Sequence, residues 1–406
     1  IRLAEAEHPI SAIAIDTWGV DFGLIDKNGD LLEEPVHYRD NRTSGLLEEA
    51  FNLVSKKDIY QKTGIQFMEL NTLYQCLALK FKNDRSYLIS SNLIFSPDLL
   101  SYMLTGKIYA EKTIASTSQF YNPSTQSWDI DLLKRMGIRT DILPELIDTG
   151  TNIGFYNEIP VIAGAGHDTA CAFAATPLKD GNRSAILSSG TWSLFGCELK
   201  KPLINDNALN EDFTNEVGIN NSIRFLKNMN GLWIIQELKR IWNENGFSYE
   251  FSDMVAMAER APPFQFFINP SNELFFAPGD MESRIKKFCI KTGQSSPATH
   301  DEVVRTAYEG LAFLYSDTFD SLEKITKLSF DTIHIVGGGS KNQLLNQMTA
   351  NSIGLPVISG PTEATAIGNI LVQMIALGEI DNISNGRSLI RKSFKNEIKL
   401  SLIHIS

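Results

Sequence analysis

Apolar and polar positions along this chain follow two rhythms, and the switches between them mark out its elements. Residues 10–15 form an apolar run rich in Ile and Ala, and residues 20–25 form a second. The Asn28-Gly29 pair that follows is a tight-turn signal, so the pattern predicts a central strand continuing into a hairpin. From Thr43 to Trp128 the period becomes helical. Leu46, Leu47, Ala50, Phe51 and Val54 recur three and four apart, and the stretch from Asn71 to Phe81 repeats the rhythm. Ser96-Pro97-Asp98 predicts a helix start, because Pro is tolerated in a first turn, and Thr105-Gly106 predicts its end. Residues 161–164 return to strand character and run into Gly166-His167-Asp168-Thr169 and an Ala-rich helix.

The second half alternates strand and helix. A polar turn over Lys179-Asp180-Gly181-Asn182 precedes a strand from Ser184 to Ser189, which ends in Gly190-Thr191-Trp192-Ser193. Helices are expected over 231–243, 301–322 and 342–353, with a strand over 332–336 and a Gly337-Gly338-Gly339 loop between strand and last helix. Alternation of this kind implies an α/β fold with helices covering a sheet in each lobe. At 406 residues the chain is too long for one ordinary core, and the expected division is 1–178, 179–399 and a tail, 400–406. That tail resembles the translation of a sequencing adapter, with a last β-strand as the alternative. Residues 1–8 read as the end of an amphipathic helix with no initiator Met before it, so the gene product is expected to start earlier.

Composition narrows the function classes. No run of about 18 apolar residues suggests a membrane span, and a net charge of -11 argues against nucleic acid or an anionic membrane as partner. Small molecules are the expected partners, and a monomer is the favoured state. Cys76, Cys171, Cys197 and Cys289 lie far apart without a CxxC pair, which fits buried thiols in a reducing compartment. No export signal is visible, so the expected location is the cytoplasm.

Two loops have the makings of phosphate sites. Three adjacent glycines after an apolar strand let backbone N–H groups approach a ligand closely, with a helix N-terminus behind them, although a tight strand-to-helix turn needs the same residues. Ser188-Ser189-Gly190-Thr191-Trp192-Ser193 offers hydroxyl and backbone donors, or an ordinary β-turn. Neither has Walker spacing. Asp168, at a strand end before a helix, has the placement of a proton acceptor, and equally of a helix N-cap. Asp16-Thr17-Trp18-Gly19-Val20-Asp21 joins carboxylates to an indole, which suits a sugar; the alternative is core packing for Trp18 and strand-edge exposure for the acids. Asn228 and Gln236, on either side of Gly231-Leu232-Trp233, divide between caps and ligand contacts. The remaining histidines lack metal-ligand spacing.

Taken in order, DTWGVDF at 16–22, YRDNRT at 38–43, DIYQKTGIQF at 58–67, NTLYQ at 71–75, GHDTA at 166–170, LSSGTWSL at 187–194, LKNMNGLW at 226–233 and HIVGGGSKNQLLNQ at 334–347 resemble the carbohydrate kinase family of the actin-like ATPase superfamily. Within it they resemble the branch that acts on L-rhamnulose. The resemblance implies two actin-like, ribonuclease-H-like lobes with a ligand cleft between them. It implies γ-phosphoryl transfer from ATP, with Mg²⁺, to a ketose hydroxyl: L-rhamnulose first, L-fuculose or L-xylulose as alternatives, or nucleotide binding without catalysis. It assigns Asp168 as proton acceptor, Gly19, His167, Thr169 and Asn228 as sugar contacts, and Thr191, Gln236 and Gly338 as ATP contacts; it assigns no metal ligand. The family's opening strand and glycine-rich hairpin, which grip phosphate, have no counterpart before Ile10. The expectation is therefore a truncated N-terminal lobe and a chain with little or no activity as it stands.

Overall fold

The computed structural model describes residues 1–179, 181, 183–394 and 397–402. Asp180 and Asn182 of the expected polar turn, and residues 403–406 of the tail, lie outside the described residues. The chain forms two compact units, the first built from 1–175, 198–226 and 365–389, the second from the remainder.

In the first unit the strand Phe22–Ile25 is buried along its whole length and pairs antiparallel with Asn92–Phe95, Phe22 opposite Phe95. The Asn28-Gly29 turn forms as read, with Gly29 at φ 92 and the Asp26 carboxylate accepting the N–H groups of Asn28 and Asp30. The helix Thr72–Phe81 buries its first seven residues, and Leu73 and Leu77 join Phe22, Leu24 and Phe95 in one core. The helix Ser96–Thr105 opens with Pro97 and ends on Gly106 at φ 71.

One expectation is corrected. Residues 10–15 are extended but form no strand: they meet the chain around the strand Ile159–Ile162 through a single parallel bridge, Ile13 to Val161, and a second bridge joins Thr17 to His167. Between the bridges no continuous ladder forms. The Ala14 carbonyl instead receives the Asn369 amide at 3.5 Å, so a side chain stands where a strand partner would. The bridges suffice to carry the apolar run to the residues at 16–21.

The helix Asp168–Ala175 is buried from Thr169 onward. Its run of alanines has a packing reason. It lies so close to the helix Ala364–Ala376 that a methyl group on Gly368 would overlap the Cys171 carbonyl. Arg387 closes its far end, donating to the carbonyls of Ala174 (3.2 Å) and Phe173 (2.9 Å) while pairing with both oxygens of Glu198 (2.9 and 2.7 Å). A cation here meets the negative end of the helix dipole.

The second unit is a sheet with covering helices. Ser184–Ser189 and Thr332–Val336, strands with the bounds expected from sequence, run parallel with Ser188 opposite Val336. Trp192–Leu199 folds back antiparallel on the first of them, and Val357–Ser359 runs parallel to the second. The helix His300–Thr326 starts at a capping box formed by Thr299 and Glu302, and its Tyr315 and Phe319 pack on Phe195. All four cysteines are free and buried. Among the described residues no helix is long and apolar enough to cross a membrane.

The contact at Gly368 generates a prediction. Gly368→Ala forces two buried helix backbones apart, an overpacking change that costs about 1–3 kcal/mol or more. The urea midpoint of the variant should fall accordingly; an unchanged midpoint would mean that the two helices separate without cost.

Candidate functional site

In the first unit the backbone brings the two carboxylate segments together. The Thr17 N–H donates to the Gly166 carbonyl and the Asp168 N–H to the Thr17 carbonyl, both at 2.9 Å. Asp168 is the first residue of its helix, and its Oδ1 accepts the N–H (2.6 Å) and hydroxyl (3.2 Å) of the next residue, Thr169. An N-cap accepts from the second or third residue of the helix instead. His167 and Thr169 are buried whereas the Asp168 side chain is 43% exposed, so the corner presents one acid. His167 Nε2 lies 3.4 Å from that Oδ1.

Gly19 belongs to a strained turn beside this corner. The Asp21 N–H donates to the Gly19 carbonyl across Val20, which sits at φ 69, an outlier for a β-branched residue. Three buried side chains hold it there: the Thr117 hydroxyl accepts the Val20 N–H at 3.1 Å, and Thr72 (2.7 Å) and Gln75 (3.3 Å) donate to its carbonyl. A methyl at Gly19 would press on Thr117 at 3.2 Å.

Both alternatives offered for the neighbouring side chains are corrected. Trp18 is not in the core but 47% exposed, held by its Nε1–H to Asp21 Oδ2 at 2.7 Å, with His37 beside it at 5.6 Å between ring centroids. Asp21 is not exposed but buried, accepting also from Gln75 and the Tyr38 N–H. Burial pushes its carboxyl above the ordinary value of 3.8, against those hydrogen bonds. Arg42 donates to Gln75 Oε1 at 2.5 Å. The YRDNRT and NTLYQ blocks thus converge on the loop that holds Trp18 and Gly19.

The structure adds residues that the sequence reading did not single out. Glu111 is fully buried, and its Oε2 accepts the N–H groups of Thr113, Ile114 and Gly166 and the Thr113 hydroxyl, while Thr149 donates to Oε1. It therefore ties down the corner one residue before His167. Thr113 and Ile114 following it are a local cap sign; the bond to Gly166, 55 residues away, has none. Asn369 donates to Asp16 Oδ2 at 2.5 Å, and the Thr365 hydroxyl to the Asp168 carbonyl at 3.3 Å. Burial pushes the Asp16 carboxyl up, Asn369 pulls it down, and nearby Asp168 pushes it up again.

In the second unit the candidate nucleotide residues gather at the ends of two parallel neighbours. The Thr191 hydroxyl donates to Gln236 Oε1 at 3.1 Å. The N–H groups of Gly231 and Trp233 donate to the Thr191 carbonyl, and a methyl at Gly231 would strike Ser193. In the triplet the glycines divide their work. Gly337, at φ 85, and Gly339 pack on Ser189, where any side chain would collide; Gly338 is exposed and faces open space. Asn228 lies half-buried near the end of the strand Ile223–Asn230, in the second unit, whereas Asp168 belongs to the first.

A ligand-bound xylulose kinase from Lactobacillus acidophilus has the same fold, with a TM-score of 0.81 at 17% identity over 99% of this chain and 82% of that one. The fold is thus that of two-domain sugar kinases. Residues 3–174 match the N-terminal domain and residues 185–377 the C-terminal domain of the FGGY family of carbohydrate kinases, and the chain belongs to that family of phosphotransferases. A rhamnulokinase of Bacteroides thetaiotaomicron is 41% identical over 401 residues, 96% of this chain and 82% of that protein. One from Oceanobacillus iheyensis is 40% identical over 395 residues, 95% of this chain and 83% of that protein.

Two predictions follow from this geometry. Gly339→Ala should lower the urea midpoint and Gly338→Ala should not, because a methyl at 339 meets Ser189 while one at 338 meets nothing; equal effects would remove the division of labour. The second concerns Asp98, whose buried carboxylate accepts the Glu111 N–H. Burial, and then Glu111, push its carboxyl well above 3.8, so its contribution favours the fold in acid and is lost as pH rises through the raised value. Asp98→Asn should therefore lessen any decline in stability on going from acid to neutral pH and leave the neutral protein at least as stable. A steeper decline in the variant would contradict this.

Proposed function

We propose that this protein transfers the γ-phosphoryl group of ATP to the primary hydroxyl of L-rhamnulose, giving L-rhamnulose 1-phosphate in L-rhamnose catabolism, with Asp168 as general base. The observation that carries the reading is the Asp168 carboxylate: it is exposed between two buried neighbours and caps nothing. Its Oδ1 is held by Thr169, and none of those contacts uses Oδ2. That oxygen accepts the hydroxyl proton as the sugar oxygen attacks phosphorus in line; the bond from phosphorus to the β,γ-bridging oxygen breaks and ADP leaves.

The exposed Trp18 face, fixed by Asp21, suits the C–H face of a sugar, and Gly19, His167, Thr169 and Asn228 are the further sugar contacts in this reading. The choice of L-rhamnulose rests on the rhamnulokinases at 40–41% identity. On the nucleotide side, Thr191 and Gln236 present a linked polar pair and Gly338 an unhindered backbone. Among the described residues no group of three or more His, Cys, Asp or Glu makes a metal cage. Bound with ATP, Mg²⁺ would neutralise the charge that develops on the phosphates during transfer.

Asp168→Asn should lower turnover with ATP and L-rhamnulose by about two or more powers of ten and change sugar affinity much less. Turnover would be followed by ADP release and affinity by calorimetry. Equal losses in both, with folding intact, would make Asp168 a structural residue. Preference for L-fuculose or L-xylulose in a ketose panel would reassign the sugar.

A further inference from the structure

Beneath His167 lies an ion pair that phosphoryl transfer does not call for. Glu216 and Arg224 face each other across the antiparallel strands Thr214–Val217 and Ile223–Asn230, and both are buried, Arg224 completely. One guanidinium nitrogen, Nη2, stands 3.1 Å from Glu216 Oε2 and 3.0 Å from His167 Nδ1. Glu216 Oε2 is itself 3.3 Å from that Nδ1. The guanidinium is further tied by Nε to the Val217 carbonyl at 3.2 Å and lies over the Phe173 ring. As a cross-strand pair it needs no other purpose than joining two strands. Its third contact points to one.

An arginine nitrogen only donates. Two groups compete for His167 Nδ1: Arg224 Nη2 at 3.0 Å, which calls for its lone pair, and Glu216 Oε2 at 3.3 Å, which calls for its proton; the shorter contact, to a group that can only donate, favours the lone pair. The ring proton then sits on Nε2, the nitrogen 3.4 Å from Asp168 Oδ1. We infer that Arg224 is a positioning residue that fixes the tautomer of His167, so that the imidazole turns a single N–H donor toward Asp168 and the ketose oxygen beside it. The inference rests on the reading of His167 and Asp168 as the sugar end of the reaction. The other tautomer would set a bare lone pair against the Asp168 carboxylate and offer the sugar oxygen an acceptor in place of a donor. Glu216 balances the Arg224 charge so that the guanidinium stays buried.

The test reads the ring nitrogens of the protein labelled with ¹⁵N-histidine, with His167 assigned by loss of its signals in His167→Asn. In the unsubstituted protein at neutral pH, Nε2 should carry the proton and Nδ1 should be bare; a proton on Nδ1 overturns the proposal. Arg224→Met alone strands a buried carboxylate and endangers the fold, so the paired variant Glu216→Leu/Arg224→Met replaces both charges with apolar groups. There the two tautomers should mix, and kcat/KM for the ketose should fall at least about tenfold. An unchanged tautomer, or unchanged kinetics with a mixed tautomer, also overturns it. Adding ketose to the unsubstituted protein separates the two readings: a bare Nδ1 with no response of the Nε2–H signal to sugar removes His167 from the sugar site and leaves the Arg224 assignment standing.

Discussion

Two backbone hydrogen bonds, between Thr17 and the residues on either side of His167, fix where Asp16 and Asp168 lie relative to each other. They are parallel-strand bonds in the place where a ladder fails to continue, and they set the segment carrying Asp16, Trp18 and Gly19 against the segment carrying His167, Asp168 and Thr169. Carboxylates placed this close repel each other, and the Asp16 carboxyl is pushed up in part by Asp168. Donors compensate: the Asn369 amide for Asp16, the Thr169 N–H and hydroxyl for Asp168. The backbone pairing determines the site, and the donors make it tolerable.

The same economy explains why the Asp168–Ala175 helix is made of small residues. An acid held at one fixed place needs a rigid support. Here that support is a helix buried on all sides, with a glycine of the neighbouring helix against its backbone and an arginine at its end. Large side chains would have kept that neighbour away. The alanines that read as a propensity signal are equally a consequence of close packing.

Much of this was legible from the chain. The strands at 184–189 and 332–336 and the helices after Asn71, Ser96 and Asn342 came from periodicity and punctuation, because local signals and tertiary packing agree there. The apolar run at 10–15 misled, since its composition is that of a buried strand while its neighbour supplies only isolated bridges. Trp18 misled as well: an indole is worth burying, and only the Asp21 carboxylate, three residues on, keeps this one at the surface. Glu111, Asn369, Glu216 and Arg224 were out of reach, because each acts on a residue at least 49 positions away from itself, as Arg224 does on His167 at a separation of 57.

Burying Arg224 and Glu216 is costly, and an apolar pair of the same size would hold the two strands as well. What such a pair lacks is direction. A guanidinium donates from every nitrogen and accepts at none, so a ring nitrogen placed against it has one protonation state left. Neutral donors would be weaker choices: a hydroxyl or a carboxamide can turn round and accept, and the imidazole could then exchange tautomers with it. Glu216 in turn lets the cation be buried without drawing Asp168 into the pair as its counter-ion. Seen this way, the desolvation cost of the pair and the exposure of Asp168 belong together. A charge balanced beneath His167 leaves the exposed Asp168 carboxylate outside the pair.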